Sequence, residues 1–453
     1  MTDTTVEPTL VEHIETLIAT DRWNKVALRQ LLADFHPADI AEILDELSPA
    51  ARLAVFQLLP REVASEVLDE TDPEVIRFVF QELPDERLAL LLDELPMDDA
   101  ARLLADLPEA TAEELIQLMQ PADAAEVRDL LTYPEYTAGR LMTDKFARLH
   151  SEWTVAQASE YLRHLDPETE TVTYLYVVDE QAHLIGVVPL RAMLTAPSHH
   201  RVADILNPHV IVVTPDTDQE ELAEMVAKYD FSAIPVVDQT GRLVGIVTVD
   251  DVMDVLAEEA TEDIQRLGGS APLEQPYFTA PIRTIVQKRI GWLLLLFVGG
   301  TLTVNVMRLF EAELEQVVAL TVFIPLLIGT GGNAGSQTVS TIIRALAVGE
   351  VVWHDVARVV ARELVTGLLV GMLLAIIAFV LAAFWTDVPL AIVAALTLPA
   401  ITTWASTVGS LVPLVADKLG IDPAVVSAPL ITTVVDATGL AIYFLIAKVI
   451  LGL

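Results

Sequence analysis

The sequence contains no cysteine, which removes disulfides, thiolate metal sites and cysteine nucleophiles from consideration. It is poor in lysine, which supplies six of its 27 basic residues, and rich in acid, with 65 Asp and Glu giving a net charge of −38. Such a chain repels nucleic-acid phosphates, so no nucleic-acid partner is expected. Residues Met1 to Gln30 lack a basic start followed by an apolar core, so no cleavable signal peptide is expected. No phosphate-binding GxxxxGK[ST] loop, no GxSxG elbow and no HExxH pair occurs. ATP-driven pumping and hydrolytic chemistry are therefore unsupported, and the chain reads as a non-enzyme.

What the 453 residues do contain is unevenly distributed. Residues 271–453 carry 11 acids and 9 bases, whereas residues 1–270 carry 54 acids and 18 bases. An acidic half is joined to a nearly neutral, apolar half. The acidity favours cations as partners. A high-acid, low-lysine surface is also what salt adaptation produces, and net charge alone speaks to solubility rather than to a site.

Proline punctuates the first region. Pro49, Pro60, Pro73, Pro84, Pro96, Pro108, Pro121 and Pro134 follow one another at spacings of 11 to 13 residues. Proline suits a first helical turn and ends the helix before it. Each unit therefore reads as a helix of about two turns with Leu and Ala on its inner face. Such units bury a face only by stacking, which predicts an all-α superhelical repeat domain over 1–136.

A second repeat follows at an offset of 59 residues. Tyr174 to Asp179 and Leu184 to Val188 recur as Ala233 to Asp238 and Leu243 to Val247. Each copy reads as helix, strand, turn, strand, helix. Residues 137–258 are thus similar to a tandem pair of cystathionine-β-synthase-type (CBS) domains, an α/β regulatory module whose members often bind adenine nucleotides. An acidic linker helix is expected over 259–288, and an α transmembrane domain of five helices over 289–453. The expected apolar stretches are Ile290–Met307, Val317–Val348, Leu364–Trp385, Pro389–Val415 and Pro423–Leu453, each near the length that crosses a bilayer. Arg283, Lys288, Arg289, Arg344, Arg358, Arg362 and Lys418 fall on one side of them. By the positive-inside rule that side is cytoplasmic, which places the N-terminus inside and the C-terminus outside.

Three constellations have the chemistry to act on a cation. Gly329-Thr330-Gly331-Gly332-Asn333-Ala334-Gly335-Ser336-Gln337 interrupts the second apolar stretch. It is expected to form an unwound, pore-lining break, because irregular backbone at membrane depth must face a wet cavity or protein. Close helix packing through small residues is the competing reading. Asp436 is the one acid well inside a span, with Glu363 and Asp387 expected at span ends. A carboxylate there needs a cation, a partner or water, and Lys448, about three turns away, is the nearest base on its helix. Finally Asp250, Asp251, Asp254, Glu258, Glu259, Glu262 and Asp263 follow the second CBS-like copy, with Asp98 and Asp99 in the repeat domain. Stacked like charges destabilise a helix, and a divalent ion that prefers oxygen ligands relieves them.

The order of these regions, the sequence Gly331-Gly332-Asn333-Ala334-Gly335-Ser336-Gln337 and Asp436 together resemble the MgtE family of magnesium channels and transporters along essentially the whole chain. The resemblance implies a homodimer in membrane lipid, with a pore between protomers where Asp436 and the neighbouring Asn333 hold hydrated Mg²⁺. It implies uptake across the plasma (inner) membrane and closure when cytosolic Mg²⁺ is high. Positions matching the family's sensing acids are Glu66 and Asp98 in the repeat domain, and Asp218, Glu220, Asp230, Asp251 and Asp254 in the CBS pair. Glu259, Glu262 and Asp263 match in the linker, and near the membrane Glu315 and Asp422 match further ion-contacting positions. Ser336 and Ala428 stand where a close relative has asparagine, which points to weaker ligation at the outer pore. The alternative is a secondary transporter for another divalent ion such as Mn²⁺ or Co²⁺, coupled to a counter-ion.

For nucleotide, the family's ATP contacts fall in the first CBS copy. There Gly186, Pro189 and Ala192 replace the Gly-x-x-Ser/Thr-x-x-Asp pattern that the second copy keeps as Gly245, Thr248 and Asp251. Tyr174 and Arg191 remain to meet adenine and phosphate, but the ribose acid is gone. ATP binding is expected to be weak or absent.

Overall fold

The structure, a computed structural model, describes residues 8–19, 25–165, 169, 171–273, 277–278 and 280–453. It divides into two compact units, Met1–Ala257 and Glu258–Leu453.

The first unit opens with short helices: α1 (Pro8–Ala19), α2 (Lys25–Leu32), α3 (Pro37–Glu46), α4 (Pro49–Phe56), α5 (Arg61–Asp69), α6 (Pro73–Glu82), α7 (Asp85–Leu92), α8 (Met97–Ala105), α9 (Glu109–Leu118) and α10 (Pro121–Leu131). The prolines do what their chemistry dictates. Pro49, Pro73 and Pro121 occupy the first helical turn, where no N–H is needed, and Pro60, Pro84, Pro96 and Pro108 stand at the N-cap. With two turns each, no helix buries enough on its own. Helices two apart in sequence pack together, α3 on α5, α5 on α7, α7 on α9 and α8 on α10. They close a continuous core through residues such as Ile40, Leu44, Phe56, Leu68, Leu92 and Leu104.

The CBS pair follows as α11 (Ala138–Leu141), β1 (Phe146–His150), α12 (Val155–Arg163), β2 (Thr171–Val178), β3 (Leu184–Pro189) and α13 (Leu190–Thr195), then α14 (Gln219–Tyr229), β4 (Ala233–Val237), β5 (Leu243–Thr248) and α15 (Val249–Leu267). In the first copy β2 lies between a parallel β1 and an antiparallel β3. The second copy pairs β4 with β5, and isolated bridges join Val213 to Val236 and Thr143 to Ile246. The cores of the copies differ. Leu149, Leu175, Val188 and Met193 form one of their own, whereas Leu222, Ile234, Val236 and Val247 of the second copy belong to the core of the helical repeats. α15 crosses position 258 without interruption and ends at Leu267, where Gly268 and a left-handed Gly269 follow. That φ of +75° is one that glycine adopts without a Cβ clash.

The second unit holds α16 (Ile282–Leu309), α17 (Glu311–Gln316), α18 (Ile324–Ala347), α19 (Val356–Trp385), α20 (Val388–Lys418) and α21 (Ala428–Leu451). Among the described residues five helical stretches are long and apolar enough to span a membrane, namely α16, α19 with its preceding turn, α20, α21, and α18 with the turn before it. They run longer than the apolar stretches alone suggest. α19 begins two turns before Leu364, so Glu363 lies within the helix rather than at its end. α20 is the hub, packing on α18, α19 and α21, and its buried Leu398 and Ile401 share a core with Leu327, Tyr443 and Phe444. α19 meets α20 backbone to backbone. Thr402 donates its hydroxyl to the Gly367 carbonyl at 2.8 Å, and a Cβ on Gly371 would lie 2.2 Å from Thr402 Oγ1. α16 buries no residue in the single chain.

Candidate cation site

The glycine-rich segment is not unwound. α18 runs unbroken from Ile324 to Ala347, through Gly329 to Gln337, which corrects the expected break. The glycines have a different use, close approach. A Cβ at Gly331 would sit 2.5 Å from Ile401 Cγ2, one at Gly332 2.8 Å from Thr432 Cγ2, and one at Gly335 2.9 Å from Ile431 Cγ2. Small residues at three positions let α18 lie against α20 and α21 together, which is how helices associate where lipid removes the hydrophobic drive.

That close approach brings Asp436 up to α18. A Cβ on Gly332 would be 3.6 Å from Asp436 Oδ1, in van der Waals contact with it, so a side chain longer than alanine's there would crowd the carboxylate. Asp436 is half-buried, and among the described residues its shielded Oδ1 has no hydrogen-bond partner. Lys448 does not serve it, because its ammonium donates to Glu313 at 2.6 Å. Sequence reasoning missed this pair: Glu313 lies among three loop acids, and only the fold distinguishes it from its neighbours. One turn before Asp436, Thr432 places its hydroxyl 3.2 Å from that of Ser336. Asn333, the residue after Gly332, is exposed on α18 and shares no hydrogen bond with Asp436. An unpartnered carboxylate oxygen, with the Thr432 and Ser336 hydroxyls one turn away, offers the oxygen donors that a hard, hydrated cation takes.

The other candidates fall into two groups. In the second unit, Asp422 Oδ1 accepts the Ala424 N–H at 2.8 Å and its Oδ2 accepts Arg266 Nη1 at 2.5 Å. Arg266 also pairs with Glu262 one turn back. Burial, then Asp422 and Glu259, push the Asp263 carboxyl above its usual range. Glu315 is exposed on α17.

In the first unit, Arg102 pairs with both Asp69 and Asp99. Burial raises both carboxyls above their ordinary range; Asp99 and Asp254 add to the rise at Asp69, Asp250 and Asp254 to that at Asp99, and Arg102 opposes both. Asp98 is buried at the start of α8, and Glu66 is exposed on α5. Sequence reasoning missed Asp69 and Arg102, which enter only because α5 and α8 are brought beside α15. Asp218 caps α14 by accepting the Glu220 N–H at 2.9 Å, and Asp230 ends that helix in a left-handed turn. Among the described residues no three His, Asp or Glu side chains converge on one point as a ligand sphere.

For nucleotide, Asp251 accepts the Thr248 hydroxyl at 2.6 Å at the start of α15. In the first copy Tyr174 faces Pro189 across β2 and β3, and Arg191 is exposed on α13.

A membrane domain with an unpaired carboxylate at its packed centre, carried with a tandem CBS pair, defines the class of divalent cation transporters. Residues 324–446 match a family described as MgtE, divalent cation transporter, residues 35–136 the MgtE intracellular N domain, and residues 138–199 and 202–258 the CBS domain. The magnesium transporter MgtE of Thermus thermophilus is 42% identical over 94% of this chain and 95% of its own, and that of Bacillus subtilis 34% identical over 73% of each. Among solved structures, the cytosolic domain of the Mg²⁺ channel MgtE in complex with ATP aligns at 42% identity and a TM-score of 0.51, covering 54% of this chain and 100% of that one. The chain belongs to the MgtE family.

Proposed function

We propose that this protein is a Mg²⁺-selective channel of the plasma membrane that admits Mg²⁺ and closes when cytosolic Mg²⁺ is high. Its N-terminus is cytoplasmic and its C-terminus outside. Two copies form the pore, and Asp436 from each, with Asn333 nearby, holds the ion through its water shell. The observation that carries this reading is the Asp436 oxygen, shielded among apolar helices with no hydrogen-bond partner among the described residues. Mg²⁺ dehydrates reluctantly, so carboxylates that grip its water shell suit it better than a tight cage. Entry is driven by the membrane potential, worth about 2.3 kcal/mol per charge per 100 mV.

Closure follows from Mg²⁺ binding to the cytosolic acids: Glu66 and Asp98, Asp218, Glu220, Asp230, Asp251 and Asp254, Glu259, Glu262 and Asp263, with Asp422 at the inner membrane face, while Glu315, after the first span, meets the ion on the outer side. Carboxylate oxygens are the right donors for Mg²⁺, and each such acid supplies one or two ligands, with water completing the octahedron. ATP binds weakly or not at all, because Ala192 occupies the ribose-acid position of the first CBS copy.

The test is Mg²⁺ entry into proteoliposomes loaded with a fluorescent indicator, comparing the parent with Asp436→Ala. Entry by the parent and none by the variant supports the reading, and equal entry by both removes Asp436 from the path. Voltage-clamped currents separate the channel from a coupled carrier for Mn²⁺ or Co²⁺, which would show no current of channel size.

A further inference from the structure

The second unit contains a cavity of about 700 Å³ walled by α18, α19 and α20, which Asp436 does not line. That volume is within the usual range for small-ligand sites. Its other end, away from the turn between α18 and α19, includes a polar cluster. Glu363 accepts the hydroxyl of buried Thr338 at 3.2 Å, and Thr338 lies 3.2 Å from buried Ser406. The end formed by the turn between α18 and α19 carries both signs of charge. Arg358 is paired with Asp355 at 3.3 Å. Arg362 and Glu350 also line the cavity, and among the described residues neither forms an ion pair.

Two opposite, unpaired charges that line one cavity without meeting each other match a ligand that carries both charges at separated positions. The charged end of the cavity lies where α18 ends and α19 begins, the level at which apolar helices leave hydrocarbon for the polar interface. A ligand there has an apolar part to leave along exposed Val370. Three acids stand among the lining groups, so a lipid with net negative charge is opposed. A trimethylated ammonium has no N–H to donate to a carboxylate. We propose that this cavity binds the headgroup of an ethanolamine-type zwitterionic phospholipid, its phosphate on Arg362 and its primary ammonium on Glu350.

The experiment is native mass spectrometry of the full-length protein in detergent, with added phosphatidylethanolamine, phosphatidylcholine or phosphatidylglycerol of matched acyl chains. The parent should retain the ethanolamine lipid about tenfold better than either other lipid, the worth of one charge-assisted hydrogen bond. Arg362→Ala and, separately, Glu350→Gln should each abolish that preference, and Arg362→Lys should restore most of it. Glu350 sits in an exposed turn, so its substitution keeps the test decisive where Arg362→Ala fails to fold. Equal retention of all three lipids by the parent, or an unchanged preference in both variants, would overturn the proposal. So would displacement of the lipid by free phosphoethanolamine, which would assign the cavity to a soluble phosphorylated amine.

Discussion

The two halves of the molecule use carboxylates in opposite ways. Residues 1–270 carry 54 acids, and most of those at candidate positions have something to do within the fold: Asp218 caps a helix, Asp251 accepts a hydroxyl, Asp69 and Asp99 share Arg102. The membrane half carries few acids, and among the described residues one of them, Asp436, has a shielded oxygen with no hydrogen-bond partner. The comparable oxygen of the acidic half, Glu126 Oε1, has the charged Asp144 and Lys145 beside it, whereas Asp436 has no charged neighbour among those residues. A high count of acids therefore locates a function less sharply than one acid deprived of partners, since an isolated charge in an apolar setting is costly unless it is used.

The sharpest way to break this comparison is to neutralise one acid from each half. Asp436→Ala should lower Mg²⁺ flux at least a hundredfold, on the order of the loss expected when a charged ion ligand is removed. Any single cytosolic substitution, Glu66→Ala for example, should leave flux within about threefold of the parent, because a screened surface acid is worth little alone. If both variants lose flux equally, the contrast fails.

A second, smaller effect concerns what keeps Asp436 unpartnered. Gly332→Ala drives a methyl to 2.8 Å from Thr432 Cγ2, and Gly371→Ala drives one into Thr402. Each should destabilise by roughly 1–3 kcal/mol through overpacking, read as loss of melting temperature in detergent. Only Gly332→Ala should also alter ion affinity, because only that methyl lands beside the carboxylate. A matched change in affinity from Gly371→Ala would show that general loosening, not local contact, is being measured.

These glycines also show what the sequence could reveal. Order of regions, five spans, the CBS repeat and Asp436 were all legible, because each rests on local periodicity or on a charge out of place. The state of the glycine-rich segment was not. The same string suits an unwound pore lining or a tightly packed helix, and the choice depends on Ile401, Ile431 and Thr432 lying opposite, residues about 70 to 100 positions away. Asp69, Arg102 and the Glu313–Lys448 pair were hidden for the same reason. Each becomes visible only when non-neighbouring helices meet, and one acid among many carries no mark in the sequence.

Arg266 tests the acidic half more finely. Its guanidinium sits on Glu262 and Asp422, two of the acids proposed to sense Mg²⁺, and so competes with the ion for them. Arg266→Ala should let the pore close at a Mg²⁺ concentration about threefold to tenfold lower, the effect of removing one competing charge–charge contact of partial exposure. Closure read by flux against internal Mg²⁺ checks it. A shift to higher Mg²⁺ would mean that Arg266 holds the closed arrangement together instead.

The smallest effect is one of pH. In the folded first unit the carboxyls of Asp69 and Asp99 are held above their ordinary values by burial first and then by neighbouring acids, Asp99 acting on Asp69 and Asp250 and Asp254 on Asp99. A carboxyl with a raised folded pKa is protonated more readily folded than unfolded, so its stabilising share is complete at low pH and is lost as pH rises through the folded value. Acidification from neutral toward the ordinary carboxylate range of about 4 should therefore strengthen this corner of the fold, as a cation would. Chemical denaturation of the full chain at successive pH values reads this. In Asp69→Asn, which removes the charge but keeps the shape, the gain on acidification should shrink by half or more, on the order of one titrating group of the pair. A pH response identical to the parent's would show that the pair does not control this part of the fold.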